Sequence, residues 1–325
     1  MGIQNSIQPV IGEWFARAEA AGYDPRHAIE RLAYGSFVSA AHRYFYMETP
    51  KAASTSIKHL IACLEGVAPE TGALPYQRET RLDMLVHQRR HIAVASLVNA
   101  PAATQQAVLA RAPDWMIFAL ARNPFSRLVS FFENKIRLGE PGYRHLEAHY
   151  GDPARHGSLR GSFGAFVKEV VAERALQRGD SHLMTQSDLI MPRLIPYTHI
   201  FRTEAADDAV AALRAHLAKN LPHAPAIARN RSPARDWRGY YDEASAAIVA
   251  KAYEEDFALF GYDPHDWQGS GAGPESSAEK EHWRQELIAR NAMIDRLYSH
   301  LGVPPAGNAA ESRLIPKTAG FTKAS

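Results

Sequence analysis

The segment that most constrains the fold is an unbroken apolar run from Trp115 to Ala121, followed directly by Arg122, Asn123 and Pro124. A strand that is buried on both faces shows no alternation of apolar and polar residues, and such strands belong to parallel sheets covered by helices. Asn123 is typical of a helix N-cap and Pro124 of a first helical position. The segment therefore predicts a central strand that leads through a tight loop into a helix.

The same order of strand, loop and helix occurs at two other places. Residues 44–47 form a short aromatic run before Thr49 and Pro50, and the apolar residues that follow recur with helical spacing. A third strand is predicted over residues 197–201, with a helix over 205–217. Strands that alternate with helices predict an α/β fold, in which a parallel β-sheet is flanked by helices.

The chain is predicted to divide into five parts. A helical segment over 1–40 precedes the α/β domain at 41–265. Residues 266–276 are rich in glycine and serine, which predicts a flexible linker. An amphipathic helix is predicted over 277–303 and a disordered tail over 304–325. The C-terminal helix can pair with a second copy of the chain to form a homo-oligomer, or pack back on its own domain, and we favour the second alternative.

Two further helices and one long loop are predicted within the α/β domain. Helical patterning covers residues 162–177 and residues 242–260, and Gly261 ends the second helix. Residues 138–160 are rich in glycine, proline, histidine and arginine, which predicts a long loop.

The near-zero net charge excludes a general electrostatic attraction to polyanions. The 325 residues include 37 Lys+Arg and 35 Asp+Glu, a net charge of +2, so the chain has no overall positive field for nucleic acid or an anionic membrane. Cys63 is the single cysteine, and no set of cysteines and histidines has the spacing of a zinc site. The sequence also lacks an apolar run of membrane-spanning length, and its first residues do not predict a signal peptide. These features predict a soluble cytoplasmic protein without nucleic acid, metal or integral membrane segment.

The first strand-to-helix junction has the properties of an anion site. Its residues are Lys51, Ala52, Ala53, Ser54, Thr55 and Ser56. Backbone N–H groups at a helix N-terminus and the helix dipole attract anions, and Lys51 adds a point charge that suits a phosphate-like group. The alternative is that Ser54 only caps the helix. The junction lacks the G-x-x-x-x-G-K-[ST] pattern of a Walker A loop, which weakens the hypothesis of a nucleoside-triphosphate kinase.

The second junction combines Arg122, at the end of the buried strand, with Ser130 in the second turn of the following helix. A buried arginine is costly unless it meets an anion or a carboxylate. Both side chains can reach one phosphate near the carboxyl end of the sheet, where open α/β sheets bind ligands. The alternative is a structural ion pair for Arg122.

Both junctions resemble motifs of one enzyme family. Residues 43–56 resemble the 5′-phosphosulfate loop of the sulfotransferases that use 3′-phosphoadenosine 5′-phosphosulfate (PAPS), and residues 122–135 resemble their 3′-phosphate motif. The second motif has the form found in the chondroitin, dermatan and HNK-1 carbohydrate sulfotransferases, to which the uronyl 2-O-sulfotransferases are related. Three later stretches are also similar to this family: 163–186, 200–204 and 230–262. The resemblance covers residues 43–262 and implies the sulfotransferase fold, with a P-loop-like sheet.

The resemblance also implies an activity. A sulfuryl group would pass in line from PAPS to a carbohydrate hydroxyl, leaving 3′-phosphoadenosine 5′-phosphate (PAP), with no metal. Lys51 and the backbone of residues 52–56 would hold the 5′-phosphosulfate, with Lys51 stabilising the leaving oxygen. Arg122 and Ser130 would hold the 3′-phosphate.

The acceptor hydroxyl needs a general base within hydrogen-bond reach. Related enzymes place a histidine between the two junctions, so His87 ranks first, with His91 beside it. His182 is the candidate in the acceptor site, and Glu48 is an outside candidate. A structural role is the alternative for each of them.

The chain departs from the family pattern at several points. Ala53 stands where glycine is common, and Asn123 where aspartate is common. Arg229 or Arg231 would add a phosphate contact. We expect neither the membrane anchor nor the paired cysteines of the Golgi-anchored animal enzymes, which implies a soluble, bacterial-type member. Two other functions stay open: a P-loop kinase of a small metabolite, and a non-catalytic protein that binds PAPS or PAP and acts through its C-terminal helix.

Overall fold

The computed structural model describes residues 8–66, 94–143, 146, 159, 162–173, 180–217, 237–268 and 278–300. The contacts of these residues define two compact units. The first comprises the described parts of Met1–Arg127, Gln177–Ala234 and Tyr253–His265, and the second those of Leu128–Leu176, Arg235–Ala252 and Asp266–Ser325. The sheet lies in the first unit, and the C-terminal helix lies in the second.

A four-stranded sheet forms the centre of the first unit. Its strands are β1 (Ser36–Ser39), β2 (Tyr44–Met47), β3 (Met116–Ala121) and β4 (His199–Arg202), in that spatial order. β1 runs antiparallel to β2, whereas β2, β3 and β4 are parallel to one another. β2 and β3 are buried along their whole length, as expected of strands covered on both faces. The predicted α/β fold with a mainly parallel sheet is confirmed.

Helices make up most of the remaining described structure. In chain order they are α1 (Gln8–Ala20), α2 (Pro25–Gly35), α3 (Ser54–Leu64), α4 (Ala102–Leu109), α5 (Pro124–Phe131), α6 (Phe163–Phe166), α7 (Gln186–Ile190), α8 (Ala206–Leu217), α9 (Glu243–Ala252), α10 (Glu254–Phe260) and α11 (Ala278–His300). α5 and α6 each continue into a π-helical turn, over Phe132–Ile136 and Val167–Val171.

The two faces of the sheet are covered by different helices. Phe45 and Ile117 lie on one face, together with apolar residues of α1, α2, α4 and α7. Tyr46 and Phe118 lie on the other face, together with apolar residues of α3 and α8. Successive residues of a strand point to opposite faces. The unbroken apolar run that ends at Ala121 therefore supplies both layers of the core.

The predicted helical segment over 1–40 is wrong at its C-terminal end. α2 ends at Gly35, and Ser36–Ser39 pair with β2 as strand β1. The side chain of Arg31 fills the space beside Gly35, where an added Cβ would lie 2.5 Å from Arg31 Nη2. The absent side chain of glycine thus lets a buried arginine lie at the point where helix changes to strand.

The single helix predicted over 242–260 is also wrong, because the structure has two helices, α9 and α10, in its place. The break falls at Tyr253, whose backbone (φ −115°, ψ 26°) is not helical. Its hydroxyl donates to Leu183 O at 2.7 Å, which fixes the tyrosine at the break. Gly261 ends the second helix with φ 65°, as predicted. The predicted linker and tail fall largely in residues 269–277 and 301–325, outside the described residues.

An aromatic cluster forms part of the core of the second unit. The ring centroid of Phe163 lies 5.3 Å from that of Phe132 and 4.9 Å from that of Tyr241. α11 contacts its own chain in this unit, because Asn291 Nδ2 donates to Leu138 O at 2.9 Å. Pairing of α11 with a second copy stays a prediction. Within the described parts of the chain, no helix combines the length and the apolar character needed to cross a membrane.

Gly35→Ala should destabilise the first unit. The added Cβ would meet the guanidinium of Arg31, whose Nη2 donates to Glu48 O at 2.9 Å. We expect the free energy of unfolding to fall by about 1–3 kcal/mol, the usual cost of overpacking a filled site. Gly12→Ala is the matched control, because no atom lies within 4 Å of its added Cβ. It should stabilise α1 by up to about 1 kcal/mol. Urea unfolding measures both, and equal effects of the two substitutions would contradict the packing described.

Candidate functional site

Two residues with left-handed backbone shape the loop between β2 and α3. Lys51 has φ 66° and Ala53 has φ 56°, a region that residues other than glycine rarely occupy. Between them Ala52 is buried, and its N–H donates to Thr49 O at 3.2 Å. The chain therefore makes a tight turn before α3 begins at Ser54.

Arg122 connects this loop to the end of β3. Its Nη1 donates to Lys51 O at 3.0 Å, and its Nε donates to Ser126 Oγ at 2.9 Å in the first turn of α5. Burial lowers the pKa of Arg122, and the Glu204 carboxylate partly offsets this effect. An arginine keeps its charge at neutral pH even so. A poorly solvated cation therefore lies beside the loop.

A second arginine of the same segment, Arg127, is fully buried. Its Nε donates to Pro50 O at 3.1 Å, its Nη1 to Met184 O at 2.8 Å and its Nη2 to Ser181 O at 3.0 Å. Burial lowers its pKa, and nearby acidic side chains, Asp256 among them, counteract this effect. The two arginines thus hold two successive carbonyl groups of the loop.

Arg127 was not among the predicted site residues, although the sequence carries a signal for it. Arg127 lies between Phe125 and the apolar pair Leu128 and Val129, at the start of a predicted helix. A buried arginine needs hydrogen-bond partners, and this holds for Arg127 as it does for Arg122. The partners themselves are backbone carbonyl groups, which every residue carries, so the sequence could not have identified them.

The backbone that leaves β3 is paired with side chains from later in the chain. Arg122 N–H donates to Gln186 Oε1, and Gln186 Nε2 donates back to Arg122 O, both at 2.8 Å. The Asp256 carboxylate accepts from the N–H of Gln186 at 2.7 Å and from that of Ser187 at 2.8 Å. Burial raises the pKa of Asp256, whereas these N–H bonds favour its charged form. The first turn of α7 is thereby held against the backbone of Arg122.

Glu204 and Tyr262 add further hydrogen bonds near the end of β3. Asn123 N–H donates to Glu204 Oε1 at 3.1 Å, and the Tyr262 hydroxyl donates to Glu204 Oε2 at 2.8 Å. Ala121 O accepts from Thr203 Oγ1 at 2.9 Å. Buried backbone groups need such partners once a strand ends. Each of the three later stretches that resemble sulfotransferase motifs therefore contributes residues near the end of β3.

The structure brings several predicted site residues together in the first unit. Lys51, residues 52–56 and Arg122 belong to it, and the bond from Arg122 to Lys51 O joins the two junctions. The predicted N-cap is confirmed, since Asn123 Oδ1 accepts from Phe125 N–H at 2.9 Å. Ser130 lies in the second turn of α5 and belongs to the second unit.

The candidate bases have different surroundings. His182 lies in the first unit, with its Nδ1 3.1 Å from the Asp180 carboxylate. Glu48 forms a buried ion pair with Lys58 at 2.5 Å, which is the structural role that the sequence left as its alternative. The other candidate bases, His87 and His91, lie outside the described residues, as do the candidate phosphate contacts Arg229 and Arg231. In the described ranges, no group of three or more histidine, cysteine or acidic residues could hold a metal ion.

Ala53→Gly should raise the free energy of unfolding by up to about 1 kcal/mol. Glycine adopts φ 56° without the cost of about 1–2 kcal/mol that other residues incur there. This gain exceeds the loss of about 0.4–1 kcal/mol from the greater freedom of the unfolded chain. Ala52→Gly is the control, because Ala52 is buried and has no positive φ. We expect it to destabilise by about 1 kcal/mol. Urea unfolding of both variants measures these changes, and equal losses would contradict the left-handed turn.

The chain is similar to proteins of one known family. The model of the sulfotransferase family matches residues 34–263. Carbohydrate sulfotransferase 10 of Xenopus laevis is 28% identical to this chain, over 70% of the chain and 66% of its own length. Carbohydrate sulfotransferase 8 of Homo sapiens is 26% identical, over 62% of the chain and 46% of its own length.

The matched region spans less than two thirds of the length of each of these relatives. No solved structure matches the chain. The family match, however, covers most of the chain and includes both junctions, β1 to β4 and the later stretches that hold them. The chain belongs to the sulfotransferase family.

Proposed function

We propose that this chain transfers a sulfuryl group from PAPS to a hydroxyl group of a carbohydrate acceptor. The observation that carries the proposal is the hydrogen bonding of Arg122 and Arg127 to two successive carbonyl groups of the loop that contains Lys51. These bonds join the two motifs that the resemblance assigns to the two phosphate-bearing ends of PAPS. Family membership supports the reaction, and the carbohydrate sulfotransferases among the relatives support the acceptor class.

Lys51 and the first turn of α3, residues 54–56, hold the 5′-phosphosulfate in this proposal, together with the backbone of residues 52–53. N–H groups at a helix N-terminus and the helix dipole attract such an anion. Lys51 offsets the negative charge that develops on the oxygen between phosphorus and sulfur. Sulfuryl transfer, like phosphoryl transfer, requires mainly alignment and charge stabilisation from the protein.

Arg122 holds the 3′-phosphate in this proposal, and a contact of Ser130 with the same phosphate stays a prediction from the sequence. Two nitrogens of the Arg122 guanidinium already donate to the protein, and none of the described residues accepts from the third, Nη2. An anion beside a poorly solvated guanidinium compensates its lost hydration and accepts a charge-assisted hydrogen bond. Arg229 or Arg231 adds a further contact. The 3′-phosphate is the group that separates PAP from ADP, so this contact sets the specificity for the donor.

A histidine accepts the proton of the acceptor hydroxyl. His87 and His182 are both proposed as this base. The position of His182 supports it, because Arg127 bonds both to the turn of His182 and to Pro50. Pro50 lies in residues 48–53, the loop between β2 and α3 that is proposed to bind the sulfuryl donor and is called the donor loop below. The proposal includes no metal. A cytoplasmic location stays a prediction, supported by the single cysteine, Cys63.

Calorimetry and transfer assays test this function. The full chain should bind PAP more tightly than ADP or ATP, and should transfer radiolabelled sulfate from PAPS to at least one member of a glycan panel that includes chondroitin and dermatan chains. Binding of ADP or ATP without preference for PAP would favour the small-metabolite kinase. Binding of PAP without transfer to any glycan would favour the non-catalytic binding protein.

Lys51→Ala should lower turnover by about 10²–10³-fold, the usual effect of removing a group that stabilises developing charge. Alanine incurs the same cost as lysine at φ 66°, so the substitution removes the ammonium group without easing the backbone. The melting temperature should therefore stay near that of the unmodified chain. Lys251→Ala, at an exposed position of α9, is the control and should change neither quantity. Unchanged turnover of Lys51→Ala would remove its proposed role.

Arg122→Ala should weaken PAP binding about 10–100-fold, as expected for the loss of a hydrogen bond between charged groups. Adenosine 5′-phosphosulfate has no 3′-phosphate, so its affinity should fall much less. A small loss is expected for it because Arg122 also donates to Lys51 O. Calorimetry measures both ligands, with Arg214→Ala, at an exposed position of α8, as the control. Equal losses for the two ligands would point to a general disturbance of the loop.

A further inference from the structure

We infer that Asp180 is a positioning residue that sets His182 as the general base of the proposed transfer. The inference rests on the proposed function and adds to it a residue pair and the atom that takes the proton. One carboxylate oxygen, Asp180 Oδ1, accepts from the backbone N–H of His182 at 2.8 Å and lies 3.1 Å from its Nδ1. A single oxygen therefore fixes both the start of the turn and the imidazole ring.

The contact determines which ring nitrogen carries the proton. A carboxylate oxygen can only accept a hydrogen bond, so the Nδ1 of a neutral His182 must be the donor to Asp180. Nε2 is then the nitrogen whose lone pair can accept a proton. Histidines that act as general bases are held in one tautomer by a carboxylate in this manner.

The turn that carries His182 is held at several points. Asp180 O accepts from the N–H groups of Leu183 and Met184, both at 2.9 Å. The carbonyl of Leu183 accepts from the Tyr253 hydroxyl at 2.7 Å. The side chains of His182 and Asp180 stay 26% and 21% exposed, so the ring is accessible while its backbone is fixed. A base whose position is fixed in advance needs no reorganisation during the reaction.

The same turn is tied to the proposed donor loop. Two nitrogens of Arg127 bond the carbonyl groups of Ser181 and Met184, and its third bonds that of Pro50, directly before Lys51. A guanidinium is a small planar group, so its three acceptors lie close to one another. All these residues belong to the first unit. The structure thus brings the His182 turn next to the loop where the sulfuryl group is proposed to lie.

The step balances without a further reactant. The acceptor oxygen forms a bond to sulfur as the bond from sulfur to the bridging oxygen of PAPS breaks, and the electron pair of the broken bond stays with PAP. The proton of the acceptor hydroxyl moves to His182 Nε2. The carboxylate of Asp180 faces the resulting imidazolium, which afterwards returns the proton to water.

Nuclear magnetic resonance of the full chain labelled with ¹⁵N-histidine tests the tautomer, at about pH 8.5, where imidazole is neutral. The His182 signal is identified by its loss in His182→Gln. We expect the Nδ1–H form in the unmodified chain and a shift toward the Nε2–H form in Asp180→Ala. Asp180→Asn keeps an accepting oxygen and should keep the Nδ1–H form. Finding the Nε2–H form in the unmodified chain would overturn the inference.

Kinetics with PAPS and a glycan that accepts sulfate supply the second readout. Asp180→Ala should lower kcat about 10–100-fold, as expected for loss of a residue that orients a reacting group, with the Kd for PAP unchanged. Asp180→Asn should recover part of this loss. Asp208→Asn, at an exposed position of α8, is the control and should match the unmodified chain. A rate for Asp180→Ala equal to that of Asp208→Asn would overturn the inference and leave the proposed function intact. Failure of the unmodified chain to transfer sulfate would overturn both.

Discussion

The buried guanidinium of Arg127 fixes the relative positions of the segments that form the candidate site. Its three nitrogens donate to three backbone carbonyl groups, those of Pro50, Ser181 and Met184. Taking a charge out of water costs several kcal/mol, so such a group is stable only where its donors are used and opposite charge is near. Asp256 and Asp180 supply that charge. The loop after β2 and the turn of His182 consequently cannot move independently of each other.

A second constraint operates where β3 ends. A central strand satisfies its backbone through its neighbours, but the residues that follow it have no such partners and are still buried. The N–H groups of Arg122 and Asn123 instead donate to the side chains of Gln186 and Glu204, respectively. This requirement explains why stretches far apart in the sequence, which resemble motifs of the same family, contribute residues near the end of β3. Their hydrogen bonds hold the backbone of Arg122 and Asn123.

Local patterns explain which parts of the fold could be predicted. β3 was evident because a strand buried on both faces is apolar throughout, and α3 because its apolar residues follow the helical period. β1 was not evident, because the segment Ser36–Ser39 is too short to show the period of a strand. Its pairing with β2 is a contact that no local sequence pattern encodes. The break at Tyr253 likewise depends on a bond to the distant Leu183. Arg122 was predicted from its place at a strand end, whereas the role of Arg127 depends on backbone acceptors that any sequence would offer.

The arginine bonds also explain how the donor loop holds an unfavourable backbone without glycine. Lys51 and Ala53 each incur a cost of about 1–2 kcal/mol in the left-handed region. Hydrogen bonds that involve a charged group contribute about 1.5–3 kcal/mol each, and the loop receives two of them, from Arg122 and Arg127. The conformation at Lys51 is therefore maintained by the motif assigned to the 3′-phosphate. Because the Arg122 guanidinium is rigid and planar, a phosphate bound to its Nη2 would also hold its Nη1 on Lys51 O. In the proposed reaction the 3′-phosphate thus contributes to the placement of Lys51 beside the transferred group as well as to affinity.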